Sequence, residues 1–412
     1  MLEKSPTNIV IGVIVFLAFT TIIGVSCFVA GIFANMFWLN EYPIFDTSPD
    51  VVVTCEDVPQ EFDVFWEAWE LVDEGFYGEI PTEQERVYGA IRGMVITYGD
   101  QNTAFIEPVQ AKMMQENASG SFEGIGAMVR VDDNGRLLIA EPFPDRPAAK
   151  AGLKRDDMVL EVDGISIQGY SIYESVSLIR GEKDTTVILT IFREGVDEPF
   201  DVSIVRAKIE IEVVRSELLD NNIGYVNLTE FSKDASDKLK KAIRELEKQG
   251  ADKLILDLRS NPGGYLSEAI AVSSLFIEEG IILHERGRTE ANTRLFEAFG
   301  GAVVPDMPLI VLINGGSASA SEIVAGALLD HERAVIIGEQ SFGKGTVQMP
   351  YTLSNGSELR VTIAQWFTPD DKLIHKEGIK PDIEIELTEE DFDNDLDPQL
   401  DKAIEYLLED GS

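Results

Sequence analysis

The chain has 412 residues, with 34 Lys+Arg against 73 Asp+Glu and a formal net charge of −39. Such acidity excludes nucleic-acid binding by phosphate neutralisation and disfavours adsorption to an anionic membrane. Two Cys and three His leave neither a disulfide framework nor a Cys- or His-rich zinc site, so no metal or cofactor is expected, and 44% hydrophobic residues suffice for cores in about two to three domains.

In chain order, residues 1–40 read as a short cytoplasmic stub and a transmembrane anchor. No charged residue lies between Ser5 and Asn40. The apolar run from Ile9 to about Phe33 can cross ~30 Å of hydrocarbon as a helix, and it exceeds the ~7–15 apolar residues of a cleavable signal peptide. Lys4 precedes the run, and Glu41, Asp46, Asp50 and Glu56 follow it. The positive-inside rule then places the rest of the chain outside the cytoplasm, held at the cell membrane by one span. Cys27 reads as a small apolar residue within the run, and Cys55 has no intrachain disulfide partner outside it.

Residues 41–58 carry Pro, Asp and Ser and predict a linker. Residues 59–118 show helical spacing. Phe62, Phe65, Trp66, Trp69 and Val72 form one stripe, expected to pack in a core, and a second helix is expected from Glu83 to Tyr98 with Ala90, Ile91, Met94 and Val95 inward. From 119 to 208 the pattern turns to short Val/Ile/Leu-rich strands bounded by Gly, Asp and Pro, with two intervening helices. From 209 to 386 strands alternate with helices, which predicts a layered α/β domain. Residues 387–412 read as an acidic terminal helix. Within it, Asp391 to Asp397 lacks the Gly and Glu of a calcium loop.

Three segments rise above background as sites of chemistry. Asp257-Leu258-Arg259-Ser260-Asn261-Pro262-Gly263-Gly264 ends a strand with a tight turn, where ligands sit in open α/β sheets; Asp257 and Arg259 read as a structural pair. Asn314-Gly315-Gly316-Ser317-Ala318-Ser319-Ala320-Ser321-Glu322 joins a strand to a helix N-terminus, whose free N–H groups stabilise developing negative charge. A Ser there is placed as a nucleophile, although such clusters also serve as ordinary caps. Gly338 to Gln348 (GEQSFGKGTVQ) nearly spells a P-loop, but Gly345 stands where Ser or Thr would hold magnesium and the following residues are strand-like. Its S-x-x-K pattern opens no helix and lacks the S-D-N and K-T-G partners.

None of the three His has a Ser-His-Asp context. The second and third segments together instead predict a Ser–Lys pair, Ser319 with Lys344. A Lys acts as a base only when neutral. Burial must therefore bring its pKa from ~10.4 to roughly 7–8, and Gln348 can orient the amine.

The chain resembles the C-terminal processing peptidases, or tail-specific proteases, over roughly residues 60–410. The matching segments are FEGIGAMV, GLKRDDMVLEVDG, IGYVNLTEF, LILDLRSNPGG, GGSASASEIVAGAL, GEQSFGKGTVQ, LRVTIAQWFTP and EGIKPDIEI. The resemblance implies a PDZ domain on a ClpP/crotonase-like α/β protease core. It implies Ser319 as nucleophile, Lys344 as base and Gln348 completing the site. It further implies an oxyanion hole from the N–H of Ala320 and of Gly264 or Gly263. The loop Gly124-Ile125-Gly126-Ala127 would take the substrate C-terminus, and Arg180, expected in the second PDZ helix, would serve regulation. The partners implied are protein substrates with unstructured C-termini and the membrane, with a homo-oligomer or regulatory partner left open. Two features depart from the pattern: Asp370-Asp371-Lys372 replaces a Gly/Arg turn, and the acidity is not a family trait.

Overall fold

The computed structural model describes residues 61–409, apart from residue 389, residues 392–393 and residue 395. The expected anchor and the whole of the expected linker, with Cys27 and Cys55, lie outside the described residues. Among the described residues no helix is long and apolar enough to cross a membrane.

The chain divides into two units, residues 1–75 and 76–412. Of the first, one helix is described, α1 (Phe62–Gly75). Its aromatic stripe was expected in a core, yet none of its residues is buried; Phe62 is 46% and Trp66 53% exposed. The rings pack on one another instead, Phe65 and Trp66 each against Trp69 with centroids 5.8 and 6.1 Å apart.

The second unit opens with α2 (Glu83–Ile96), started by a capping box in which Thr82 accepts from Glu85 N–H and the Glu85 carboxylate accepts from Thr82 N–H. Tyr88 and Val95 are its buried residues; Met94, expected inward, is 51% exposed. Then follow β1 (Ala104–Ile106), α3 (Pro108–Ala118) and β2 (Ser121–Gly124).

Residues 127–205 form a small antiparallel sheet of β3 (Ala127–Val131), β4 (Leu137–Pro142), β5 (Met158–Val162), β7 (Thr186–Phe192) and β8 (Phe200–Val205), with β6 (Ile165–Ser166) beside β5. Alternation along β7 sends Val187, Leu189 and Ile191 into its core. The helices α4 (Pro147–Lys150) and α5 (Ile172–Ile179) accompany it, and β3 lies at the sheet edge with one strand partner. β9 (Ala207–Glu210) returns to pair with β2.

The larger sheet runs β10 (Val214–Leu219), β11 (Ile223–Leu228), β12 (Lys253–Asp257), β15 (Leu309–Ile313), β16 (Val335–Gly338) and β19 (Ile383–Glu384). All neighbours pair in parallel except β10 with β11. Its inner strands are apolar on both faces because both are covered. Leu309, Val311 and Ile313 face α6 (Ala235–Gln249), α7 (Leu266–Ser273) and α8 (Ala320–Asp330). Ile310 and Leu312 face α9 (Pro398–Glu409) through Ala403 and Leu407. A third sheet joins β1, β13 (Ile281–Gly287), β14 (Arg294–Glu297), β17 (Thr346–Thr352) and β18 (Glu358–Phe367) in antiparallel pairs.

Gly338 closes β16 at φ 129°, and an added Cβ would collide with the Ile313 carbonyl. Gly338→Ala should therefore lower stability by roughly 2–4 kcal/mol in urea unfolding, from backbone strain and overpacking together.

Candidate active site

Two loops at the carboxyl ends of the parallel strands build the site. After β12, Asp257 turns back on Arg259, whose Nη2 lies 2.7 Å from its Oδ2. Tyr225 donates to the same Oδ2 at 2.6 Å. Arg259 also reaches Asp397 (2.8 Å) and Gln399 (3.0 Å), which pins α9 to the loop. Burial beside the Asp257 carboxylate pushes the Tyr225 hydroxyl well above its ordinary range. The pairing expected of Asp257 and Arg259 is present and is structural.

Asn261 joins the two loops. Fully buried, it donates through Nδ2 to Leu228 O (2.7 Å) and accepts at Oδ1 from Gly263 N–H (2.9 Å). Its own carbonyl accepts from Ala318 N–H (3.0 Å) and Ser321 Oγ (2.9 Å). Gly263 sits at φ 102°, where an added Cβ would come within 2.7 Å of Ser319 Cβ and 2.9 Å of Ala320 N. Only a glycine allows that approach.

The three serines of this run are not equivalent. Ser317 Oγ donates to Leu258 O at 2.8 Å and Ser321 Oγ to Asn261 O at 2.9 Å. Among the described residues Ser319 Oγ–H has no acceptor. Ser319 caps α8 with φ 56° and ψ −114°, a strained backbone for a residue with a side chain. The N–H groups of Ala320 and Gly264 likewise have no acceptor among the described residues, whereas that of Gly263 is taken by Asn261. Of the two glycines expected in the oxyanion hole, Gly264 is the one with a free amide.

Glu322 binds this segment to the loop carrying Lys344. Its fully buried carboxylate accepts from Ser319 N–H (2.8 Å), Ser341 Oγ (2.6 Å), Gly343 N–H (2.6 Å) and Lys344 N–H (2.9 Å). The main chains of Ser319 and Lys344 thus converge on one oxygen, Oε2. Burial pushes the Glu322 carboxyl above its usual range, and the four donors pull it back. The Lys344 side chain is half-buried, and its amine has no hydrogen bond or ion pair among the described residues. Burial first, then the Arg360 cation, hold its pKa below the ordinary lysine value; Glu322 opposes them. Gln348 donates to Thr346 Oγ1 at 2.7 Å rather than to the Lys344 amine.

Sequence reading missed Asn261 and Glu322 as organisers of the site. The signal available for Glu322 was a carboxylate three residues after a helix cap. Glu322→Gln keeps the volume and removes the charge. It should lower stability by about 1.5–3 kcal/mol and reduce peptidase turnover together, read by urea unfolding and by kcat.

In the small antiparallel domain, Gly124 ends β2, Ile125 is buried in the core, Gly126 turns at φ 74° and Ala127 opens the edge strand β3. The carbonyls of Ile125 and Gly126 accept from Ala148 N–H (2.8 Å) and Phe143 N–H (3.0 Å), which fixes the loop. Arg180, expected within the second helix, is instead its C-cap residue. Its guanidinium bonds Glu116 (2.9 Å) and Asn117 (2.8 Å) of α3 and stacks 4.2 Å from the Phe122 ring.

The chain is similar to known proteins across both the small antiparallel domain and the α/β core. Residues 222–385 match Peptidase family S41, and residues 138–193 match the PDZ domain. The chain is 42% identical over 327 residues to the carboxy-terminal processing protease CtpA of Bacillus subtilis, covering 79% of this chain and 69% of the relative. It is 36% identical over 347 residues to the carboxyl-terminal-processing protease of Synechocystis, covering 82% and 81%. A solved Bacteroides fragilis structure bearing the S41 protease label shares the fold, with a TM-score of 0.51 at 20% identity, over 85% of this chain and 98% of that one. Fold and relatives define a serine-type peptidase carrying a PDZ domain. The chain belongs to the carboxy-terminal processing proteases of family S41.

Proposed function

We propose that this chain is a membrane-anchored endopeptidase that takes unstructured C-termini of proteins into its PDZ groove and cleaves them through an acyl-enzyme, using Ser319 and Lys344. The observation that supports the dyad is the sorting of hydroxyls: Ser317 and Ser321 donate to backbone carbonyls, whereas among the described residues the Ser319 hydroxyl donates to none and the adjacent Ala320 and Gly264 amides have no acceptor. Lys344 Nζ takes the Ser319 Oγ proton as Oγ bonds to the scissile carbonyl carbon. The carbonyl oxygen becomes an oxyanion facing the Ala320 and Gly264 amides and the start of α8. Collapse breaks the C–N bond, and Lys344 returns the proton to the leaving amine. A water, deprotonated by the same amine, then releases the acyl group from Ser319. Gln348 turns from Thr346 to the Lys344 amine during this cycle.

The edge of β3 that has no strand partner among the described residues, with the Gly124–Ala127 turn at its start, supports peptide addition as an extra strand whose terminal carboxylate meets that turn. Arg180, held on α3, supports a link between PDZ occupancy and activity. The anchor rests on the uncharged run from Ser5 to Asn40, and Lys4 before it supports an orientation with the catalytic part outside the cytoplasm.

The test is mass spectrometry of products released from an unfolded protein with varied C-terminal residues, using the full chain. Cleavage that depends on the terminal residues supports the reading. Cleavage retained in Lys344→Ala overturns the dyad.

A further inference from the structure

We infer that Glu230 is a specificity residue of this peptidase site, its carboxylate receiving the ammonium or guanidinium of a substrate Lys or Arg close to the scissile bond. The inference rests on the peptidase reading above and extends it to substrate class.

Glu230 follows β11 and precedes Phe231, whose fully buried ring fixes the chain at this point. Phe231 N–H donates to Gly263 O at 2.8 Å, and Tyr265 N–H donates to Phe231 O at 2.8 Å. Phe231 and Gly264 form a parallel bridge. Glu230 therefore adjoins the residue that pairs with the segment carrying the free Gly264 amide, a segment whose Gly263 leaves no room for a Cβ against Ser319.

This carboxylate is half-buried and has no hydrogen-bond donor and no cation among the described residues. Its resolved electrostatic neighbour is the Tyr265 phenol. Burial alone pushes the Glu230 carboxyl above its ordinary range. Two other charges of the site are committed elsewhere, Arg259 to Asp257 and Asp397 and Glu322 to its four donors, and no ion pair joins Glu230 to the Lys344 amine among the described residues. A partly desolvated carboxylate without a partner is costly unless a ligand supplies one. A substrate cation supplies the missing charge, and it forms a charge-assisted hydrogen bond that an apolar or acidic side chain cannot. The net charge of −39 also draws cationic segments to the protein at low ionic strength. A metal ion fits less well, because no group of three His, Cys, Asp or Glu ligands gathers among the described residues.

The test uses one peptide frame in which Lys, Arg, Ala or Glu is placed in turn at each of the three positions on either side of the cleaved bond. The readout is the ratio of kcat/KM for Lys or Arg over Ala, which cancels general damage to the enzyme. The unsubstituted chain should show a ratio of about tenfold or more at one position and should reject Glu there. Glu230→Gln should bring the ratio near one, and Glu230→Lys should reverse it in favour of Glu. An equal ratio in the unsubstituted chain, or a ratio unmoved by both substitutions, overturns the inference while the peptidase stands. Failure of the unsubstituted chain to cleave any peptide, or the unfolded protein, overturns the peptidase reading itself and this inference with it.

Discussion

Ser319→Ala should lower peptide-bond hydrolysis by about 10⁴-fold or more while leaving the fold intact. The hydroxyl donates to nothing among the described residues, and the Glu322 N–H that it caps keeps Ser319 O as an acceptor at 2.9 Å. The neighbouring serines give the opposite pattern. Ser317→Ala and Ser321→Ala each remove one of two donors from a buried carbonyl, leaving Leu258 O with Asn261 N–H and Asn261 O with Ala318 N–H. Each should cost about 0.5–1.5 kcal/mol in urea unfolding, the net worth of one hydrogen bond, and retain measurable turnover. Paired unfolding and product-release measurements on the three variants decide the matter. Full activity in Ser319→Ala, or a loss confined to Ser321→Ala, would place the nucleophile elsewhere.

Lys344→Ala should reduce turnover by about 10²–10⁴-fold, the span typical of a lost general base. Its pH dependence gives a sharper check. The working form of the amine is neutral, so the rate must climb as pH rises through the Lys344 pKa. That pKa lies below the ordinary lysine value because of burial and then because of Arg360. Arg360→Gln removes a like charge, lets the amine hold its proton more tightly, and should move the ascending limb of kcat/KM to higher pH. A limb that stays fixed, or moves to lower pH, would show that Lys344 is not the titrating base.

Much of the catalytic domain was legible in the sequence because its strands are short apolar runs ended by turn residues. LILD and LIVLI are buried on both faces, and each is followed by a small-residue loop that can only lie at a strand end. The Ser319 and Lys344 loops were visible for the same reason. Glu322 and Asn261 were not, since their importance lies in hydrogen bonds across 21 or 60 positions of chain, which no local pattern records. The strand Ile281–Gly287 was missed because it mixes His, Glu and Arg with its apolar residues. In α1 the periodicity was read correctly and its burial was not: an apolar stripe states which side chains share a face and leaves open what covers it.

One oxygen pair on Glu322 holds the Ser319 and Lys344 segments in register, which restricts how the two can separate. A rearrangement that carried the 341–344 segment away would strip three of the carboxylate's four donors and leave an anion in an apolar interior. Such a state is reached at least cost by taking up a proton on that acid. Separation of the two segments would therefore be coupled to proton uptake, and mild acid should favour it even before the amine of Lys344 is considered.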